Sequence, residues 1–265
     1  MTLKVVIDAG HGYSTPGKRS PSPGVMKEYE FNRAVSLAMR DELKNYEGVE
    51  VKFTHSDSRD VPLSERTNSA NAWKADVFVS IHANAFNGKM GDHGGIDTFV
   101  FESKPAEAVK LANVVQKNLI KATGLRDRGV KSIDFHVLRE THMTAILIEH
   151  GFMDSKTDLP KLKSDAYRKL CGETNAKSLA EFYGLKRKSA PKPAAKKEKK
   201  PSAAENKKAT GFTDIPADFS YVDSIKFVQD KGLIKGYSDG SFRPNEPTTR
   251  GQLARILHRL LDEKK

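Results

Sequence analysis

Cysteine occurs once in this 265-residue chain, at Cys171, which excludes an intrachain disulfide framework and a multi-thiolate metal site. Its place in a helical pattern makes it a core residue. The single tryptophan, Trp73, reads as helix packing against a sheet rather than as a sugar platform. No apolar run approaches the roughly 18 residues that a membrane-spanning helix needs. The start, Met-Thr-Leu-Lys-Val-Val-Ile-Asp, lacks a basic segment followed by a long apolar one. No signal peptide is therefore read, and synthesis in the cytoplasm with another route outward is expected. Acidic residues are outnumbered, giving a net charge of +11, but +8 of it sits in residues 186–211. The basicity thus belongs to a tether, not to a folded groove, and nucleic-acid binding is not expected.

What is present divides into three stretches. Residues 1–185 alternate strand-like and helix-like segments, the pattern of an α/β domain. Strands are expected to Asp8, over 49–54, 77–81, 96–101 and 145–148. Helices are expected over about 28–46, 64–74, 107–123 and 165–183. Residues 186–211 are rich in Lys, Pro and Ala with no large apolar residue, and read as a flexible linker. Residues 212–265 regain an amphipathic pattern over 221–230 and 252–261, joined by a turn-rich loop, and read as a small helical module.

Three apolar, β-branched runs each end on a residue able to hold a metal: Leu3–Gly10 before His11, Asp76–Ile81 before His82, and Ala145–Ile148 before Glu149. Such runs read as parallel strands buried on both faces. Ligands in open parallel sheets sit beyond the carboxyl ends of the strands, so these three residues can meet. Two imidazoles and a carboxylate are the protein half of an open catalytic zinc site, which leaves Glu149 a candidate ligand. Glu28 opens a helix with Asn32 one turn later on the same face. A carboxylate there is equally well explained by the helix dipole.

Five motifs follow in order: Asp8-Ala-Gly-His-Gly12, Gly24-Val-Met-Lys-Glu28-Tyr-Glu-Phe-Asn32, Leu63-Ser-Glu-Arg66, Ser80-Ile-His82-Ala-Asn84 and Ile148-Glu-His-Gly-Phe152. Over residues 1–185 the sequence resembles the zinc-dependent N-acetylmuramoyl-L-alanine amidases of bacteria and their phages. The resemblance implies a mostly parallel, twisted sheet flanked by helices. It implies one zinc ion bound by His11, Glu28 and His82, with Glu149 as the catalytic acid and base rather than a ligand. It implies cleavage of the bond between N-acetylmuramic acid and the L-alanine of the stem peptide by zinc-activated water. Asn84 and Arg139 are candidate substrate contacts, with a buried structural ion pair the alternative for Arg139. His136 and His142 are expected near the cleft without a metal role. The loop 86–94 is longer than the family's usual one.

Phe212-Thr-Asp-Ile-Pro216, Gly236-Tyr-Ser-Asp-Gly-Ser-Phe242 and Thr249-Arg250 resemble one S-layer homology repeat. That implies binding to peptidoglycan-linked secondary cell-wall polymer of a Gram-positive bacterium, with Arg250 a candidate anion contact. The usual tryptophan near position 220 is missing, and only one repeat is present where three are usual, so self-association is expected to complete the sites. Together these features imply a cell-wall hydrolase, with a phage endolysin released through a holin favoured over a host amidase acting at mother-cell lysis. A zinc peptidase or deacetylase, and a wall-anchored binding protein with structural zinc, are the rivals.

Overall fold

The computed structural model describes residues 2–12, 14–15, 17–21, 25–188, 211–215, 222–244, 246 and 248–262. The chain divides into two compact units, residues 1–189 and 190–265.

The first unit is a three-layer α/β domain. Its elements run β1 (Leu3–Ala9), α1 (Glu28–Leu43), β2 (Val49–Phe53), α2 (Leu63–Ala72), β3 (Val77–Asn84), β4 (Ile96–Val100) and α3 (Ala106–Thr123). Then come β5 (Asp127–Ser132), α4 (His136–Arg139), β6 (Thr144–Phe152), α5 (Asp158–Leu162) and α6 (Asp165–Tyr183). The sheet order is β2-β1-β3-β6-β4-β5. Pairing is parallel except between β6 and β4, so the sheet is mixed.

Period-two alternation decides which side chains meet which helices. Val5, Ile7, Val79, Ile81, Ile146 and Ile148 are buried in one core with Phe31, Val35 and Met39 of α1, Leu111 and Val115 of α3, and Cys171 and Leu179 of α6. Val6, Phe78, Ala145 and Leu147 face the other way and pack with Ala70 of α2 and Val137 and Leu138 of α4. The same alternation puts Asp8, Ser80, His82 and Glu149 on the α2 and α4 side of the sheet. Each of these lies near the carboxyl end of its strand, where the apolar run gives way to polar residues.

Residues 186–188, which the sequence assigns to the start of the linker, are held against the domain. Lys186 O accepts from Glu47 N at 2.9 Å, Arg187 donates to Glu42 Oε1 at 2.8 Å, and Lys188 N donates to Asn45 O at 2.7 Å. The Arg187 and Lys188 side chains find their partners in the last turn of α1, at Glu42, and just after it, at Lys44 O. Residues 189–210 lie outside the described residues.

The second unit contains α7 (Val222–Asp230) and α8 (Arg250–Asp262). Phe212, Ile215 and Ile225 form a small core against Val222 and Phe242. Asp214 accepts from the backbone N–H groups of Phe242 and Arg243, both at 2.7 Å, which clamps the turn between the helices. The Arg243 guanidinium lies 4.1 Å from the centre of the Tyr237 ring. Phe219 and Tyr221, the aromatics near the position of the missing tryptophan, lie outside the described residues. Among the described residues, no helix is long and apolar enough to cross a membrane.

Candidate metal centre and active-site cleft

His11 follows β1 with a left-handed φ of 65°. Glu28 is the first residue of α1, and His82 lies near the end of β3. Their ligand atoms all lie within 4.8 Å of one another. His82 Nδ1 is 2.8 Å from Glu28 Oε1, and His11 Nε2 is 3.1 Å from Glu28 Oε2. The two rings meet edge to face with centroids 5.1 Å apart.

Two glycines permit this convergence. A Cβ on Gly10 would sit 2.1 Å from Cε1 of His82. A Cβ on Gly17 would sit 2.5 Å from both Glu28 Oε2 and His11 Cδ2, and Gly17 has φ +74°. The close approach of three ligand-type side chains therefore depends on backbone that carries no side chain at those points.

Supporting hydrogen bonds fix the donors. Asn32 Nδ2 donates to Gly10 O at 3.0 Å and to Glu28 Oε1 at 3.4 Å. Lys18 N donates to Glu28 Oε2 at 3.0 Å. Arg66, from α2, is buried and donates to Asp8 Oδ1, Ala9 O, His11 O and Val61 O at 2.6–2.9 Å. Asp8 also accepts from Ser80 Oγ at 2.6 Å and from Thr54 Oγ1. His150 points to the opposite side, donating Nδ1–H to His82 O at 3.1 Å and accepting from Asn175 at 3.0 Å. Burial holds its pKa down at about 4, so it stays neutral.

Glu149 is the cross-strand neighbour of His82. Its Oε2 is buried and has no hydrogen-bond partner among the described residues. Burial, then the charges of Glu28 and Asp97, push its pKa well above the usual carboxylate range, while Lys18 opposes them. Glu28 goes the other way. Burial raises its pKa, but hydrogen bonds and charge from His11 and His82 outweigh burial and hold it below the usual range. Asp97, opposite Glu149 on β4, is paired with Arg128 at 2.8 Å and with Lys131.

His11, Glu28, His82 and Glu149 border one cleft of about 880 Å³. Its polar end carries His11, Lys18, Glu28, His82, Asn84 and Glu149, and its apolar wall includes Leu63, Phe99, Ile133, Phe135 and Leu147.

A family model described as N-acetylmuramoyl-L-alanine amidase matches residues 5–181. The chain belongs to the N-acetylmuramoyl-L-alanine amidase family. The amidase CwlM of Bacillus licheniformis is 36% identical over 71% of this chain and 72% of its own length. The endolysin of Bacillus phage SPP1 is 34% identical over 84% of this chain and 80% of its own. The catalytic domain of the amidase CwlV from Bacillus (Paenibacillus) polymyxa var. colistinus superposes with a TM-score of 0.65 at 34% identity, covering 70% of this chain and 100% of that domain. Residues 211–254 match the S-layer homology domain. The amidase family and the S-layer repeat expected from the motifs are thus both found, and the enzyme is a peptidoglycan amidase with a wall-binding module.

The structure brings His11, Glu28, His82, Glu149 and Asn84 to the cleft. Asn84 already uses Oδ1 to accept from Ala85 N at 2.8 Å. Arg139 is not brought there. It pairs at the exposed surface with Glu140 at 2.8 Å and with Asp134, so an ion pair is present, but not the buried one expected as the alternative. Arg250 is exposed at the start of α8. His136 borders the cleft. Reading the sequence alone passes over Lys18, Arg66 and Asp97 as parts of the site. Only the Leu-Ser-Glu-Arg motif pointed to one of them.

Proposed function

We propose that the amidase hydrolyses the bond between the lactyl group of N-acetylmuramic acid and L-alanine, with zinc held by His11, Glu28 and His82 and the proton carried by Glu149. The observation that carries this reading is the meeting of that donor set with Glu149 in one cleft. The donors suit zinc, because two imidazole nitrogens and one carboxylate oxygen make an open catalytic site. A bound ion would supply Lewis acidity at the scissile carbonyl and a pKa toward about 7 for water.

The chain's own groups do the rest. Glu149 takes a proton from the attacking water and returns it to the nitrogen of the departing amine. Its raised proton affinity suits it to hold that proton between the two steps. Glu28 stays ionised beside the imidazoles, and Asn32 and Lys18 N fix its two oxygens. No activated Ser or Cys enters this scheme, and Cys171 is buried.

We assign catalysis to residues 1–185, tethering to 186–211 and wall binding to 212–265, with self-association completing the single repeat's polymer sites. Similarity to the phage SPP1 endolysin over 224 residues supports an endolysin. A sporulation-specific amidase of Bacillus subtilis, 34% identical over 186 residues, favours the host setting as the second reading. Chelation is expected to remove both zinc and lysis, and added zinc to restore both. His82→Ala should lower bound zinc, measured by atomic absorption. Full activity in metal-free protein would overturn the zinc assignment.

A further inference from the structure

Among the described residues, two cations border the cleft, Arg66 and Lys18. Arg66 is buried and committed to Asp8 and three backbone carbonyls. Lys18 is different. Its side chain is exposed, and among the described residues its ammonium makes one hydrogen bond, to Ala85 O at 2.6 Å. An ammonium carries three donors, so two remain for a ligand.

The ammonium is held at both ends. Its own backbone N–H is bound to Glu28 Oε2 at 3.0 Å, which fixes the start of the side chain beside the metal donors. Its acceptor, Ala85 O, precedes a loop pinned by Asp154. That fully buried carboxylate accepts from Phe86, Asn87 and Gly88 N–H at 2.9–3.0 Å and from His93 Nε2 at 2.7 Å. The longer loop therefore serves as a rigid post for a lysine at the cleft. The other ionisable groups bordering the cleft among the described residues are carboxyls and imidazoles: Asp8, Glu28, Asp60, Glu149, His11, His82 and His136.

We propose that Lys18 anchors a carboxylate of the stem peptide, carried by the residue that follows the alanine at the scissile bond. This rests on the amidase reading above. The place of Lys18 next to Glu28 limits its reach to groups within a residue or two of the bond being cut. A charge-assisted pair there is stronger than a neutral hydrogen bond by a factor of about two, so a carboxamide at the same position is bound less well.

The test uses the zinc-loaded full chain and two soluble muropeptides that differ only in carboxylate versus carboxamide on that residue. Wild type is expected to favour the carboxylate in kcat/KM, mainly through KM. Lys18→Met is expected to lower the carboxylate-to-carboxamide ratio by about tenfold. Lys18→Arg should restore much of the preference, and raised salt should weaken it in wild type. Unchanged zinc content and melting temperature in Lys18→Met separate recognition from folding. An equal loss on both substrates would overturn the proposal, because Lys18 would then act on the chemistry or the fold. So would a wild-type enzyme indifferent to the carboxylate. Release of no alanine-terminated peptide from either substrate by wild type would instead overturn the amidase reading, and this proposal with it.

Discussion

Glu28 and Glu149 are two carboxylates in one cleft with opposite proton affinities. Imidazole partners keep Glu28 ionised, and its charge together with burial drives Glu149 the other way. Opposite shifts of this kind suit the proposed roles, ligand for Glu28 and acid and base for Glu149. Glu149→Gln keeps the shape and removes the proton-accepting charge. It is expected to retain zinc and lose about 10²-fold or more in kcat, as for loss of a general base. Loss of zinc in that variant would return Glu149 to the ligand set. The four central residues were legible because each sits in a short motif at a strand end or helix start. Lys18 was not, because its place depends on the Gly17 turn and on a carbonyl 67 positions away. Arg139 differs, because its partners Glu140 and Asp134 are one and five positions away and lie within its own stretch of sequence.

The elements that carry long apolar runs follow the sequence closely. β5 escaped because Asp-Arg-Gly-Val-Lys-Ser has no alternating apolar face, being an edge strand that packs little. α4 and α5 are four and five residues long, too short for a helical period to show. The antiparallel placing of β4 against β6 is likewise a matter of chain routing rather than of local pattern. Arg66 shows how α2 serves the site, because one side chain neutralises Asp8 and holds the backbone of His11. Arg66→Met leaves a buried carboxylate without its charge partner and is expected to cost about 3–5 kcal/mol in denaturant unfolding. Asp8→Asn added to it should recover part of that loss. Recovery of nothing would mean that the carbonyl bonds, not the ion pair, dominate.

α6 offers a second check at this scale. Cys171 is fully buried in the core that α6 shares with α1 and α3, and burial pushes its thiol up to about 12. Thiol reagents are expected to leave the native protein unmodified and to react only as the domain unfolds. Rapid native labelling would contradict the packing of α6.

For the whole molecule, two units meet two needs: a cleft for one amide bond, and a small module for the polymer around it. The charge is concentrated in residues 186–211, so attraction to an anionic wall could come from the tether alone. Wall sedimentation separates these sources. The full chain is expected to bind more tightly than residues 1–188, and residues 211–265 to bind weakly alone. Raised salt should release only the part owed to exposed charge, which is screened over about 10 Å at 0.1 M. Equal binding by residues 1–188 and the full chain would remove the module from targeting.

The most direct measurement is chemical. Purified Gram-positive peptidoglycan is digested with the zinc-loaded full chain, and the new ends are identified by mass spectrometry and end-group labelling. The expected result is free N-terminal L-alanine with matching free lactyl groups on muramic acid, in a reaction stopped by chelator. New reducing sugars, or new amino termini within the stem peptide with alanine still attached to muramic acid, would contradict it.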